Sequence, residues 1–137
     1  MNDSNPLDQT RHVDVAVIGG GATGLSAGLV LARSRRSVVV IDAGEQRNRP
    51  AGHVHNYLTS EGVPPLELVA TGRAEVESYG GQVVEGSVVT AQANGGDHPS
   101  FRLTLDDGTA IEARRVVIAT GATDRLPDVP GLAERWG

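Results

Sequence analysis

A run of mostly β-branched residues, Val13-Asp14-Val15-Ala16-Val17-Ile18, stops at Gly19-Gly20-Gly21 and gives way to Ala22-Thr23-Gly24-Leu25. This juncture constrains the chain more than any other feature. The run reads as a strand, and three successive glycines make a tight turn. From Ala22 to Arg33, small or apolar residues recur at Leu25, Gly28, Leu29 and Ala32, which is one face of a helix. Arg33, Arg35 and Arg36 at its far end suit the negative helix terminus. Val38 to Ile41 is again continuous and β-branched, the pattern of a strand buried on both faces.

A β-α-β unit of about 30 residues results, and its first turn carries Gly19-x-Gly21-x-x-Gly24. Between a strand and a helix this spacing is a phosphate-binding fingerprint. Gly19 permits the sharp turn, Gly21 lets backbone approach a pyrophosphate with no Cβ in the way, and Gly24 lets the helix lie close to the strand. The free N–H groups at the helix start, at Ala22 and Thr23, then face the anion. Asp42 ends the second strand run, where a carboxylate can accept hydrogen bonds from both ribose hydroxyls and disfavours a 2′-phosphate. FAD and NAD both contain an ADP half, so the fingerprint alone does not choose between them.

The rest of the chain narrows the fold. Ala43 to Gly62 is a long irregular segment of the kind that is usually functional. Pro64 and Pro65 open a second helix with an apolar face of Leu66, Val69, Val76 and Tyr79, closed by Gly80-Gly81. Val83 to Ala91 is extended with a break at Gly86. Phe101 to Leu105, the turn Asp106-Asp107-Gly108, and Thr109 to Ala113 form a hairpin. Val116 to Ala119 is another buried-strand run, ending at Thr120-Gly121. The fold class expected is α/β, a three-layer Rossmann-like domain with a parallel sheet and a β-meander insert, incomplete at the C-terminus. Residues 1–11 read as a disordered leader and 12–137 as the domain.

Composition excludes several functions. With 137 residues the chain has the size of one domain, not of a two-domain enzyme. Its net charge of −5 argues against a nucleic-acid surface. No apolar stretch is long enough to span a membrane, and a cytoplasmic setting is the default. The absence of cysteine excludes a disulfide, a thiolate metal site and a dithiol redox pair within these residues. His53 and His55 flank Val54 without a third ligand at a recognisable spacing, so no metal is expected. An imidazole over a flavin edge is the other reading of that pair. Arg47 and Arg49 could donate to a pyrophosphate or simply be solvated, and Tyr79 and Trp136 read as packing residues.

The segments V-A-V-I-G-G-G-A-T-G-L-S-A-G, V-V-V-I-D and V-V-I-A-T-G-A, with the meander between them, resemble the FAD-binding half of the thioredoxin-reductase-like flavoproteins over nearly all of Val13 to Gly137. The resemblance implies FAD as cofactor, with its pyrophosphate on the first fingerprint and Asp42 at the acidic ribose position. It further implies that Thr120 and Gly121 belong to a second glycine motif near the cofactor, that Asn56 of Asn56-Tyr57 lies near the flavin, and that backbone at Val88 meets the adenine edge. Leu58-Thr59 stands where the family usually has Pro-Gly, and Asn56 could instead cap a turn.

In that family the NAD(P)H domain, the redox cysteine pair and a second FAD-binding segment follow this region. The reading is therefore the N-terminal FAD-binding part of an oxidoreductase that moves electrons between NAD(P)H, flavin and a disulfide or dithiol, with NAD(P)H expected only for a longer chain. The 137 residues alone are expected to be inactive, and no catalytic residue is assigned. The partners expected are FAD and, as an open option, a second copy of the chain. Two alternatives stand: an incomplete or non-catalytic dinucleotide-binding module, and an NAD-binding dehydrogenase fragment. The latter is disfavoured because the chain has no lysine for a Tyr-x-x-x-Lys pair.

Overall fold

In a computed structural model, which describes residues 10–136, six strands form one mixed sheet in the order β3-β2-β1-β6-β5-β4. The elements are β1 (Arg11–Ile18), α1 (Ala22–Arg33), β2 (Val38–Asp42), α2 (Pro65–Ser78), β3 (Gln82–Glu85), β4 (Val88–Asn94), β5 (Ser100–Leu105) and β6 (Ala110–Ile118), followed by a 3₁₀ turn at Ala133–Arg135. Strand β1 pairs in parallel with β2 on one side and with β6 on the other. Strands β4, β5 and β6 form the antiparallel meander. β1 already includes Arg11, and residues 1–9, where most of the expected leader falls, lie outside the described residues.

Alternation along β1 and β2 sorts the core into two layers. Val15, Val17, Val38 and Val40 face Leu25 of α1 and Val69 and Val76 of α2. The opposite faces of the same strands, Ala16, Val39 and Ile41, pack with Leu103, Leu105, Ile111 and Ala113 of the meander. Helices, parallel strands and meander are the three layers expected. Gly28 allows the close fit on the helical side, because a Cβ there would lie 2.8 Å from Val40 Cγ2.

Four expectations need correction. The arm Thr109 to Ala113 and the run Val116 to Ala119 are not two strands. Arg114 and Arg115 break the apolar pattern, yet β6 runs unbroken from Ala110 to Ile118, because its first half pairs with β5 while its whole length pairs with β1. Nor is the end of β6 buried on both faces: Ile118 is 76% exposed. Third, Leu66 and Tyr79 are half exposed, and the buried face of α2 is Pro65, Val69 and Val76. Tyr79 sits just past the helix end, where its hydroxyl accepts a hydrogen bond from Arg33 Nη1 at 2.8 Å and its ring lies under the same guanidinium. Trp136, expected as a packing residue, is likewise exposed.

Candidate functional site

The parallel strands β1, β2 and β6 end side by side, and the segments leaving them form one edge of the sheet. The ladder continues past the strands: the Gly19 N–H donates to the Ile41 carbonyl at 2.8 Å, and the Ala119 N–H donates to the Ile18 carbonyl at 2.8 Å. In an open α/β sheet this carboxyl edge, where consecutive connections leave in opposite directions, is where ligands bind. Gly19, Gly21, Ala22, Thr23 and Gly24 leave β1 here, Asp42 ends β2, and Thr120 and Gly121 follow β6.

Each fingerprint glycine has its own cause. Gly19 has φ +114°, and a Cβ there would lie 2.1 Å from the Ala119 carbonyl oxygen, so the first turn and the Ala119-Thr120-Gly121 turn are packed backbone to backbone. A Cβ on Gly24 would lie 1.8 Å from the Gly19 carbonyl oxygen. The helix therefore sits directly on its own turn. Gly21, the N-cap of α1, differs: a Cβ there would meet nothing within 4 Å. The space beside it is open, α1 has no side-chain cap and no acidic residue in its first turn, and the first helical N–H to find a carbonyl is that of Leu25, on Gly21. The N–H groups that precede it lack intrahelical acceptors and lie at the positive end of the helix dipole.

Asp42 is 5% exposed, and a Cβ on Gly20 would lie 2.3 Å from its Cγ, so the turn lies against the carboxylate. Both carboxylate oxygens are engaged. Oδ1 accepts the Gly44 N–H at 2.9 Å, Oδ2 accepts Arg73 Nη2 at 2.8 Å, and Gln46 Nε2 lies 3.2 Å from each. Arg73 Nη1 is also 3.7 Å from Glu85, the residue opposite Asp42 in the β2–β3 ladder. The edge thus places an uncapped helix start, open beside Gly21, next to a buried carboxylate held on both oxygens.

Comparison with known proteins gives the family. Residues 13–137 match the family model described as pyridine nucleotide-disulphide oxidoreductase. The chain belongs to the pyridine nucleotide-disulphide oxidoreductases. Within that family it is similar to the "Probable thioredoxin reductase" of Arthroderma benhamiae, 38% identical over 136 residues, covering 96% of this chain and 34% of that protein. It is 37% identical over 133 residues to the thioredoxin reductase tcpT of Claviceps purpurea, covering 96% and 41%. Among solved structures, HlmI superposes with a TM-score of 0.87 at 50% identity, covering 92% of this chain and 40% of that one. The chain thus spans about a third to two fifths of the length of these relatives.

The remaining sequence candidates in this oxidoreductase domain lie in three places. Asn56 sits in the loop between β2 and α2 with φ +60°, its N–H donating to Glu61 Oε2 at 2.7 Å. Asparagine tolerates that backbone conformation better than most residues, and Glu61, not Asn56, supplies the turn's cap. The same Glu61 contacts His55 Nδ1 at 2.7 Å, and these two hydrogen bonds, His55 first, hold its carboxyl below the usual range. Val88 opens β4 and packs against the meander-side core. Thr120 and Gly121 are exposed at the strand end, with Gly121 at φ +70°.

Both loop arginines are solvent-exposed, as one of the two sequence readings has it, and their guanidinium groups bond within the protein. Arg47 makes a two-pronged ion pair with Asp124, at 2.9 and 3.0 Å, and Arg49 donates to the Gly44 carbonyl at 3.2 Å. Arg47 thereby depresses the Asp124 carboxyl, and Asp124 raises Arg47. That pair ties the loop after β2 to the segment after β6.

Sequence reading missed Arg73, Gln46, Glu61 and Asp124. For Arg73 a signal existed. It stands four residues after Val69 and three before Val76, on the buried stripe of α2, where an arginine needs a carboxylate partner. The others are loop residues whose contacts depend on the loop's path, which has no period to read.

Proposed function

We propose that this chain is the FAD-binding part of a thioredoxin-reductase-like oxidoreductase, which moves electrons between NAD(P)H, flavin and a disulfide or dithiol substrate. The observation that carries the reading is the open cradle at Gly21, beside an uncapped helix start and one strand away from the buried Asp42. The residues fit FAD's ADP half. The N–H groups of Ala22, Thr23 and Gly24 would hold the pyrophosphate, with Gly19 and Gly21 keeping the backbone close, and Asp42 would accept the ribose hydroxyls. Thr120 and Gly121 would flank the cofactor from the neighbouring strand, backbone at Val88 would meet the adenine edge, and Asn56 would approach the flavin.

When bound, FAD supplies the two-electron chemistry that links a nicotinamide to a dithiol. The chain's own contribution is to hold the ADP half and to order the backbone around it. With no cysteine among the 137 residues, a dithiol relay lies outside them, and a nicotinamide site is not part of this reading. The purified chain is expected to bind FAD weakly and to show no NAD(P)H turnover.

The test is an FAD titration followed by flavin fluorescence. Asp42→Ala removes charge-assisted hydrogen bonds of about 1.5–3 kcal/mol, which corresponds to binding weaker by about ten- to a hundredfold. Unchanged affinity in Asp42→Ala would remove the site. Steady NADPH consumption by the purified chain with FAD and a disulfide would overturn the inactive reading.

A further inference from the structure

We propose that Arg73 is the positioning residue of the ribose corner and that, with Glu85, it makes this corner select an unmodified 2′-hydroxyl. The inference rests on the reading of Asp42 as ribose acceptor and extends it to groups outside the fingerprint. Arg73 reaches the corner from the middle of α2, a helix whose apolar residues pack it on the sheet. Its guanidinium is 2.8 Å from Asp42 Oδ2, and its side chain is only 29% exposed. A carboxylate as buried as Asp42 needs a cationic or hydrogen-bonding partner.

Three donors share that carboxylate, and they are unequal. Arg73 and the Gly44 N–H bind at 2.8 and 2.9 Å, one to each oxygen. Gln46 Nε2 straddles both oxygens at 3.2 Å, at the long end of hydrogen bonding. Two short contacts fix the plane of the carboxylate. The long, shared one is the contact that a vicinal diol, donating to both oxygens, can replace. Arg73 therefore acts through Asp42 and does not itself receive the ligand.

An arginine beside a ribose site could instead recruit a 2′-phosphate. The charge around it argues otherwise. Arg73 stands between Asp42 at 2.8 Å and Glu85 at 3.7 Å, so one positive charge is shared by two carboxylates and the corner keeps a net negative charge. A phosphate dianion there would meet repulsion from both.

The experiment is equilibrium titration of the 137-residue chain and its variants with ADP, 2′-deoxy-ADP and 2′-phospho-ADP, with circular dichroism to confirm folding. The wild-type chain is expected to prefer ADP over 2′-deoxy-ADP by about tenfold, the size of one charge-assisted hydrogen bond, and over 2′-phospho-ADP by at least as much. In Arg73→Met the preference for the 2′-hydroxyl falls toward unity, because ADP loses more affinity than 2′-deoxy-ADP, which keeps only its 3′-hydroxyl; a merely structural role would weaken both ligands alike. Arg73→Lys, which keeps the charge and loses the planar fork, restores part of the preference. Should Arg73→Met not fold, Arg73→Gln and Arg73→Lys carry the same comparison. An unchanged preference in the folded variants, or tighter binding of 2′-phospho-ADP than of ADP by the wild type, overturns this inference alone. Failure of the wild-type chain to bind ADP at all overturns both it and the proposed function.

Discussion

Gly21 and Gly24 lack a side chain for opposite reasons. Gly24 is filled from within the protein, since a Cβ would lie 1.8 Å from a backbone oxygen, whereas Gly21 faces open space at an ordinary φ of −77°. Gly24→Ala must displace the turn or the helix and is expected to cost about 1–3 kcal/mol of stability, as overpacked sites do. Gly21→Ala should leave stability within about 0.5 kcal/mol and weaken ADP binding instead. Urea unfolding midpoints and an ADP titration of the two variants separate these effects. Equal losses of stability would contradict the assignment of Gly21 to the ligand. The spacing of these glycines was legible in the sequence because a tight turn, a close helix and an open cradle each require glycine at a fixed place. The side-chain partners of Asp42 were not, since they come from 4 and 31 residues away along the chain.

Among the elements, those with a period were readable. α1 spans Ala22–Arg33, as its recurring small residues indicate, and the hairpin turn lies at Asp106-Asp107-Gly108, where Asp107 accepts the Thr109 N–H at 2.8 Å and Gly108 has φ +85°. β6 reads as two pieces in the sequence because two arginines interrupt its apolar pattern, while its pairing with β1 and β5 is a property of the sheet. In α2, Val76 is fully buried against α1 and the parallel strands. Val76→Ala should cost about 2 kcal/mol from lost burial and the cavity left behind, measurable by chemical denaturation, whereas Leu66→Ala on the exposed side should cost little. The loop carrying Asn56 is closed by Val54 N–H to Val63 O at 2.9 Å, Gly62 N–H to Val54 O at 2.8 Å, and the bonds to Glu61. Because the Glu61 carboxyl is held below its ordinary value, it stabilises the loop above that value. The contribution is lost as pH falls through the depressed one. In an NMR titration the Asn56 amide resonance should move with a midpoint below the ordinary glutamate range, and Glu61→Gln should abolish the transition. A midpoint at or above the ordinary range would show that the bonds to Glu61 do not form in solution.

At the scale of the whole molecule, the order β3-β2-β1-β6 gathers the glycine turn, Asp42 and the Thr120-Gly121 strand end at one edge. Residues separated by about a hundred positions in the chain thereby become neighbours. The continuous β-branched runs and the fingerprint made that edge foreseeable. The Arg47–Asp124 pair that links the loop after β2 to the segment after β6 was not, because it joins two segments without regular structure. Among the described residues no helix is long and apolar enough to cross a membrane. The central claim is that this edge receives the ADP half of FAD, and competition against bound FAD tests it most directly. ADP is expected to displace FAD from the 137-residue chain and to lose that ability in Asp42→Ala, while FMN, which has the flavin and no adenosine, should not compete. Displacement of FAD by FMN but not by ADP would contradict the account.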